Sequence, residues 1–229
     1  MPQTSVIPLG DRALTLEVPE ADGAASRDLI RCLQAQLRCD APAAVTALVP
    51  AIRTLTVHYD PMRITFGALR DYLAATVDAL VVTAEPPRQP VIIPVCYGGE
   101  FGPDLDQLAS LHGTSADGIV ATHTAGAYIV AMVGFLPGFP YLEGLDPSLH
   151  TPRRAEPRTA VPAGSVGIGG SNTGIYPFSS PGGWHLIGRT PRTLFAATRD
   201  APSLLLAGDH VRFTAITPTA FREQRERPA

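Results

Sequence analysis

Lysine is absent from all 229 positions, so the 18 basic residues are every one arginine. A P-loop lysine, a Schiff-base lysine and a biotin-carrying lysine are thereby excluded. Long apolar runs are missing too. The longest, AYIVAMVGFL, is too short to span a bilayer, and MPQTSVIPLGDRALTLEV lacks the basic-then-apolar order of a signal peptide. A cytoplasmic protein without a membrane partner is expected. Cysteine is scarce: Cys32, Cys39 and Cys96 are odd in number, show no C-x-x-C spacing, and read as reduced thiols. The six histidines show no H-x-x-x-H spacing, so no metal site is expected. A net charge of -3 and a pI near 6.0 exert no general pull on nucleic acid. A small molecule or another protein is the favoured partner.

What is present divides at the prolines. The first 80 or so residues change hydrophobic period repeatedly. TSVIPL and ALTLEV read as strands joined across GDR. ASRDLIRCLQAQLR puts Leu29, Ile30, Leu33 and Leu37 on one helical face, with Ser26 as a possible cap. VTALV and IRTLTVHY are again strands, and TFGALRDYLAATVDAL repeats the helical spacing through Phe66, Leu69, Leu73, Val77 and Leu80. The order ββαββα predicts an α+β fold for residues 1–84, a ferredoxin-like sandwich with both helices on one face. AEPPRQP cannot continue a helix, which makes residues 85–90 the expected linker.

Residues 91–218 read differently. VIIPVCY is a strand, and PDLDQLASLH and SADGIVATH are short helices, the second with Thr114 and Asp117 at capping-box spacing. Beyond Ala127, YIVAMVGF, SVGI, WHLIG, SLLLA and HVRFTAI are short apolar runs between Gly and Pro, the pattern of a closed or nearly closed β-barrel. The polar residues 219–229 are expected to be a mobile tail.

Between Gly164 and Gly188 lie eight of the 21 glycines. GSVGIGGSNTGIYPF has G-x-x-x-x-G spacing, yet Ile175 and Tyr176 stand where a P-loop needs Lys and Ser or Thr. The dinucleotide fingerprint fails at Asn172, and a nucleophile elbow fails because Ala163 stands two positions before Ser165. So many glycines imply that something approaches the backbone closely. Amides at Gly167, Gly169 and Gly170 could donate to a carboxylate or a developing oxyanion, or the glycines could simply turn the corners of a small barrel. Arg153, Arg154 and Arg158 in TPRRAEPR could fork onto a small anion, with surface solvation or a pair with Glu156 as the alternative. His123 could serve as a general acid or base, or sit favourably at a helix C-terminus. Ser165, Ser171 and Thr173 are loop hydroxyls with no adjacent base. Phe135, Pro137, Phe139 and Tyr176 could line a pocket, or pack in the core.

YGGEFGPDLDQLA, GFLPGFPYLEGLD, TPRRAEPRTAVPAGSVGIGGSNTGIYP and SPGGWHLIGRT closely resemble the family of 5-oxoprolinase B subunits (PxpB), also called KipI-like or allophanate hydrolase subunit 1. The resemblance runs from about Val91 to Phe213. It implies a small N-terminal α/β domain followed by a cyclophilin-like β-barrel. It further implies a multisubunit complex with PxpC (KipA-like, allophanate hydrolase subunit 2-like) and PxpA (LamB/YcsF-like), which opens 5-oxo-L-proline to L-glutamate using ATP with Mg at the level of the complex. Under that resemblance His123 is the catalytic candidate. Arg153, Arg158, Ser165, Gly167, Gly169, Gly170, Thr173 and Tyr176 are substrate-binding candidates, with Phe135, Pro137 and Phe139 beside them. His185 is assigned no catalytic role. Two other functions remain open: a KipI-like inhibitor of a histidine kinase, and a carboxyltransferase or allophanate hydrolase-type protein that acts on an amide. The carboxyltransferase would require biotin on another chain.

Overall fold

The computed structural model describes residues 4–18, 23–83 and 89–226, which form two compact units, Met1–Pro87 and Arg88–Ala229. Residues 85–88 of the expected linker lie outside the described residues.

The first unit contains β1 (Ser5–Pro8), β2 (Ala13–Glu17), α1 (Gly23–Asp40), β3 (Val45–Pro50), β4 (Thr54–Tyr59) and α2 (Phe66–Ala79). The sheet order is β1-β2-β4-β3 and every pairing is antiparallel. This is the ferredoxin-like arrangement with one edge strand supplied from the N-terminal end of the chain. Alternation buries Leu14, Leu16, Leu55 and Val57 on one sheet face, where they meet Leu29, Ile30, Leu33 and Leu37 of α1 and Leu69, Leu73 and Val77 of α2. Both helical faces are those set by the apolar spacing. Thr65 caps α2 by accepting from the Ala68 amide at 3.2 Å. Ser26 does not cap α1: it lies inside the helix, and its buried hydroxyl has no partner among the described residues.

The second unit contains β5 (Val91–Tyr97), α3 (Leu105–Leu111), α4 (Ala116–Ala125), β6 (Tyr128–Val133), β7 (Pro140–Glu143), β8 (Arg158–Val161), β9 (Ser165–Gly169), β10 (Asn172–Ile175), β11 (Ser180–Gly182), β12 (His185–Arg189), β13 (His210–Ala215) and α5 (Pro218–Glu226). Seven strands close a barrel in the order β10-β7-β6-β13-β5-β12-β9, and β8 pairs with β11 outside it. Only the β13–β5 neighbours in the barrel run parallel. Ile93, Val95, Val130, Leu142, Val166, Ile168 and Ile187 fill the interior together with Leu108 and Ile119 from α3 and α4.

Three local expectations are corrected. SLLLA is not a strand, because Ser203 makes only an isolated bridge to Phe195. The α4 cap is Ser115, which accepts from the Gly118 amide at 3.0 Å, one residue after the expected Thr114. Most of the expected tail belongs to α5, anchored by Phe221, which is 3% exposed and packs on Phe101 and Cys96. Burying that one ring contributes roughly 2 kcal/mol, which offsets the otherwise polar character of the helix. No described helix is long and apolar enough to cross a membrane.

Candidate functional site

The glycines of β9 and β10 alternate with Val166, Ile168, Thr173 and Ile175, which face the barrel interior. Period-two geometry therefore turns Gly167, Gly169 and Gly174 outward. What approaches them is Trp184. A Cβ at Gly169 would lie 2.6 Å from the indole ring, one at Gly167 3.1 Å from the Trp184 Cβ, and one at Gly174 3.0 Å from the indole edge. The close approach inferred from composition is real, but the visitor is an internal side chain. Nor are the backbone donors of this stretch free. β9 is paired on both edges, by β10 and β12, and the Gly170 amide donates to the Thr151 carbonyl at 2.7 Å. The expected oxyanion cradle at Gly167, Gly169 and Gly170 is thus occupied by sheet hydrogen bonds.

Trp184 belongs to an outer aromatic cluster with Phe139, Tyr176, Val161 and Leu186. Phe139 is its hub, with ring centroids 5.1 Å from Tyr176, 5.6 Å from Trp184 and 4.9 Å from Tyr141. Phe135 adds an edge-on contact to Phe139 at 5.6 Å while remaining 62% exposed. Phe135 is also the only non-glycine residue with positive φ among those described, at 69°. Such strain persists where surrounding structure fixes it. Here the turn is closed by the Gly134 amide donating to the Phe139 carbonyl and the Phe139 amide donating to the Leu136 carbonyl. Pro137 lies exposed in the same turn. Burial comes first in raising the Tyr176 hydroxyl above its ordinary pKa, opposed by the Trp184 backbone and by the charges of Arg153 and Arg158.

His123 is elsewhere. It lies near the end of α4, has no exposed surface, and both ring nitrogens are engaged: Nδ1 at 2.8 Å from the Tyr97 hydroxyl and Nε2 at 3.1 Å from Thr173 Oγ1. Thr173 Oγ1 donates to the Gly167 carbonyl at 3.0 Å, so it accepts from Nε2–H, and Nδ1 accepts from Tyr97. The chain of donors runs one way, from Tyr97 through His123 and Thr173 to Gly167. Phe213 and Tyr128 rings flank the imidazole at 4.5 and 5.4 Å. Burial pushes His123 from 6.5 down to about 3, which keeps it neutral. The candidate general acid or base is a tie across the barrel core. Thr173 and Gly167 join His123 in that tie rather than a binding surface, and Ser165 is likewise buried, with its carbonyl held by the Tyr176 amide.

The three arginines of TPRRAEPR separate cleanly. Arg158 forks onto Asp104 at 2.9 and 2.6 Å, and Arg154 reaches the same carboxylate at 3.1 Å. Asp104 also accepts from the Leu186 amide at 2.7 Å. Burial would raise its carboxyl pKa, but the Arg158 and Leu186 hydrogen bonds with the charges of Arg158 and Arg154 hold it below the ordinary value. Sequence proximity pointed to Glu156 as the bland partner; the partner is instead Asp104, which no local signal marks.

Arg153 is left exposed, with no hydrogen bond or ion pair among the described residues. Its neighbours are clamped. Thr151 bridges to Gly170 and meets His112 Nε2 at 2.8 Å, His185 Nε2 donates to the Pro152 carbonyl at 3.0 Å, and the Arg154 amide donates to the Gly183 carbonyl at 2.8 Å. A free, exposed guanidinium therefore stands on a fixed backbone, with its charge felt at Tyr176.

Residues 4–205 match the carboxyltransferase domain, subdomain C and D. The chain belongs to that carboxyltransferase subdomain C and D family. Within it, the chain is 38% identical over 228 residues to the 5-oxoprolinase B subunit of Bacillus subtilis, covering 95% of each protein. It is 44% identical over 206 residues to the 5-oxoprolinase B subunit of Escherichia coli O157:H7, covering 90% of this chain and 93% of that one. Among solved structures, TTHA0988 aligns with a TM-score of 0.76 at 37% identity, over 90% of this chain and 40% of that longer one. The Kluyveromyces lactis urea amidolyase aligns with a TM-score of 0.79 at 21% identity, over 97% of this chain and 15% of that one, a likeness of fold. The carboxyltransferase-family barrel and its preceding α+β unit thus recur inside much longer chains.

Proposed function

We propose that this chain is the B subunit of an ATP-dependent 5-oxoprolinase, which hydrolyses 5-oxo-L-proline to L-glutamate together with PxpC and PxpA in the cytoplasm. The observation that carries the reading is similarity along nearly the whole length to proteins named for that role, at 38% and 44% identity. An unstrained lactam is a weak electrophile. Transfer of the terminal phosphoryl group of ATP, with Mg, to the amide oxygen would release ADP and make the ring carbon open to water. Water adds there, the C–N bond breaks to give the free amine and a γ-acyl phosphate, and a second water releases phosphate to leave the γ-carboxylate. The substrate keeps one carboxylate throughout. Arg153, an exposed guanidinium left unengaged among the described residues, is the residue of this chain suited to hold it. Exposed Phe135 supplies apolar surface, backed by the buried rings of Phe139 and Tyr176. His123 holds the wall behind it in register; Arg158 fixes the loop that carries Arg153.

The test is glutamate release from 5-oxo-L-proline and ATP by this chain alone, with PxpC, and with PxpC and PxpA together. Release in the complete mixture is expected. No release from three folded, associated proteins would remove the reading. A carboxyltransferase role on an amide is the second reading, favoured by 32% identity over 126 residues to the yeast urea amidolyase, half of this chain. Lysine's absence then requires the biotin to arrive on another chain.

A further inference from the structure

At the end of β12, against α5, lies a cleft of about 370 Å3 whose lining includes Arg189, Arg192, Arg225, Phe178, Phe195 and Phe221 and, among the described residues, no carboxylate. Arg189, Phe221 and Arg225 are shared with an adjoining hollow of about 450 Å3. Glu100, the one acid among the described residues there, pairs with Arg222 at 3.5 Å. Arg189 is held in place because its Nε donates to the Ala163 carbonyl at 2.7 Å. Gly164 shapes the wall beside it: with φ at 83°, its missing Cβ would stand 2.4 Å from the Thr190 carbonyl. Arg192 and Arg225 are exposed, and their side chains make no hydrogen bond or ion pair among the described residues.

We propose that this cleft binds the phosphate groups of a small polyphosphate. Three guanidiniums with no acid among the described lining residues create a concentrated positive field that a single carboxylate would only partly neutralise. Guanidinium forks match adjacent phosphate oxygens. Burial lowers the Arg189 pKa first, and the like charge of Arg225 lowers it further against the opposing pull of Glu100, so the pair stands under repulsion that a bound polyanion would relieve. Phe178, 38% exposed, meets Phe195 at 5.6 Å and leaves apolar ring surface beside the charges for the organic body of a ligand. A nucleoside triphosphate has that combination. Its choice as the physiological source rests on the proposed ATP-dependent reaction, whereas the polyphosphate site does not.

Calorimetric titration of the full chain with sodium tripolyphosphate and, separately, with ATP tests the site. Both should bind, with Arg192→Ala and Arg225→Ala each weakening affinity about tenfold, or ~1.4 kcal/mol, at unchanged circular dichroism. Phe178→Ala should weaken ATP and leave tripolyphosphate unaffected. No binding of tripolyphosphate at about 10 mM, or binding that neither arginine variant alters, overturns the proposal. Tripolyphosphate binding without glutamate release from the assembled complex would leave the cleft assignment standing and remove the 5-oxoprolinase reading. Glutamate release without such binding would remove the cleft assignment alone.

Discussion

Arg158 grips Asp104 with both terminal nitrogens, at 2.9 and 2.6 Å, across 54 residues of chain. Asp104 precedes α3, accepts from the Leu186 amide of β12, and is 4% exposed, so this one carboxylate joins β8, β12 and the helical segment. Arg158→Ala removes both bonds of the fork but leaves the carboxylate with Arg154 and the Leu186 amide, so the loss is that of charge-assisted hydrogen bonds and not of a wholly unpaired buried charge. Arg158→Ala should therefore lower unfolding stability by about 1–3 kcal/mol. Arg153→Ala, which removes an exposed and unengaged side chain, should stay within about 0.5 kcal/mol. Urea unfolding of the two variants decides it; equal losses would sink the distinction between structural and free arginines.

The same carboxylate fixes a pH dependence. Asp104 titrates below its ordinary 3.8 in the folded chain, so its contribution is full above that value and is lost as pH falls through the lower folded pKa. In Asp104→Asn, the acid limb of a stability-against-pH curve should flatten below about pH 4 relative to wild type. Parallel limbs in the two proteins would mean that another carboxylate governs acid unfolding.

Trp184 is the sole tryptophan of the chain, so its seat can be watched directly. In Gly169→Ala the new methyl group would start 2.6 Å from the indole ring, and the ring must move. A loss of about 1–3 kcal/mol is expected, accompanied by a shift of the tryptophan emission. At Gly170 nothing lies within 4 Å of an added Cβ, although φ is 68°. Gly170→Ala should lose about 1 kcal/mol from backbone strain with the emission unmoved. Identical spectra for Gly169→Ala and wild type would refute the glycine seat.

The helices and their buried faces were legible because apolar spacing is a local property: Leu29, Leu33, Leu37, Leu69, Leu73 and Val77 all lie in the core. The barrel was legible as a class, from short apolar runs between Gly and Pro. Five of its seven strands, β5, β6, β9, β12 and β13, lie on expected apolar runs, whereas β7 and β10 were not legible. β7 begins at a proline, three of the four residues of β10 are polar or glycine, and β8 and β11 pair outside the barrel, so none carries an alternating apolar pattern. The glycine cluster correctly signalled close approach, but composition cannot say whether a ligand or Trp184 does the approaching. Arg153, Arg154 and Arg158 are alike in sequence. Only Asp104, far away in the chain, divides them. Phe221 alone marks α5 as packed, one apolar residue amid charges, and a single position has no period to read.

The imidazole of His123, buried between Tyr97 and Thr173, should not titrate between pH 5 and 8, because its folded value is about 3. As pH falls below the ordinary 6.5, the unfolded chain takes up a proton that the folded chain refuses, so stability declines from there down to about 3. This window opens well above the one set by Asp104, which begins only at 3.8. Proton NMR of the histidine ring signals in wild type and His123→Gln identifies the resonance concerned. A His123 signal moving with a midpoint near 6.5 would mean that the ring opens to solvent and would restore it as a candidate acid or base.

Arg153 and Arg158 make opposite demands on an activity assay. If Arg153 holds the substrate carboxylate, Arg153→Ala should raise KM for 5-oxo-L-proline in the assembled complex by about tenfold or more, the loss of one charge-assisted contact, while Tm stays that of wild type. Arg153→Lys keeps the charge but not the fork, so it should recover only part of the affinity. Arg158→Ala should instead lower Tm, and at temperatures where the variant remains folded its KM should move less than that of Arg153→Ala. A wild-type KM in Arg153→Ala would show that the carboxylate is held elsewhere, and the clamped segment from Thr151 to Arg154 would then serve only to close the barrel wall.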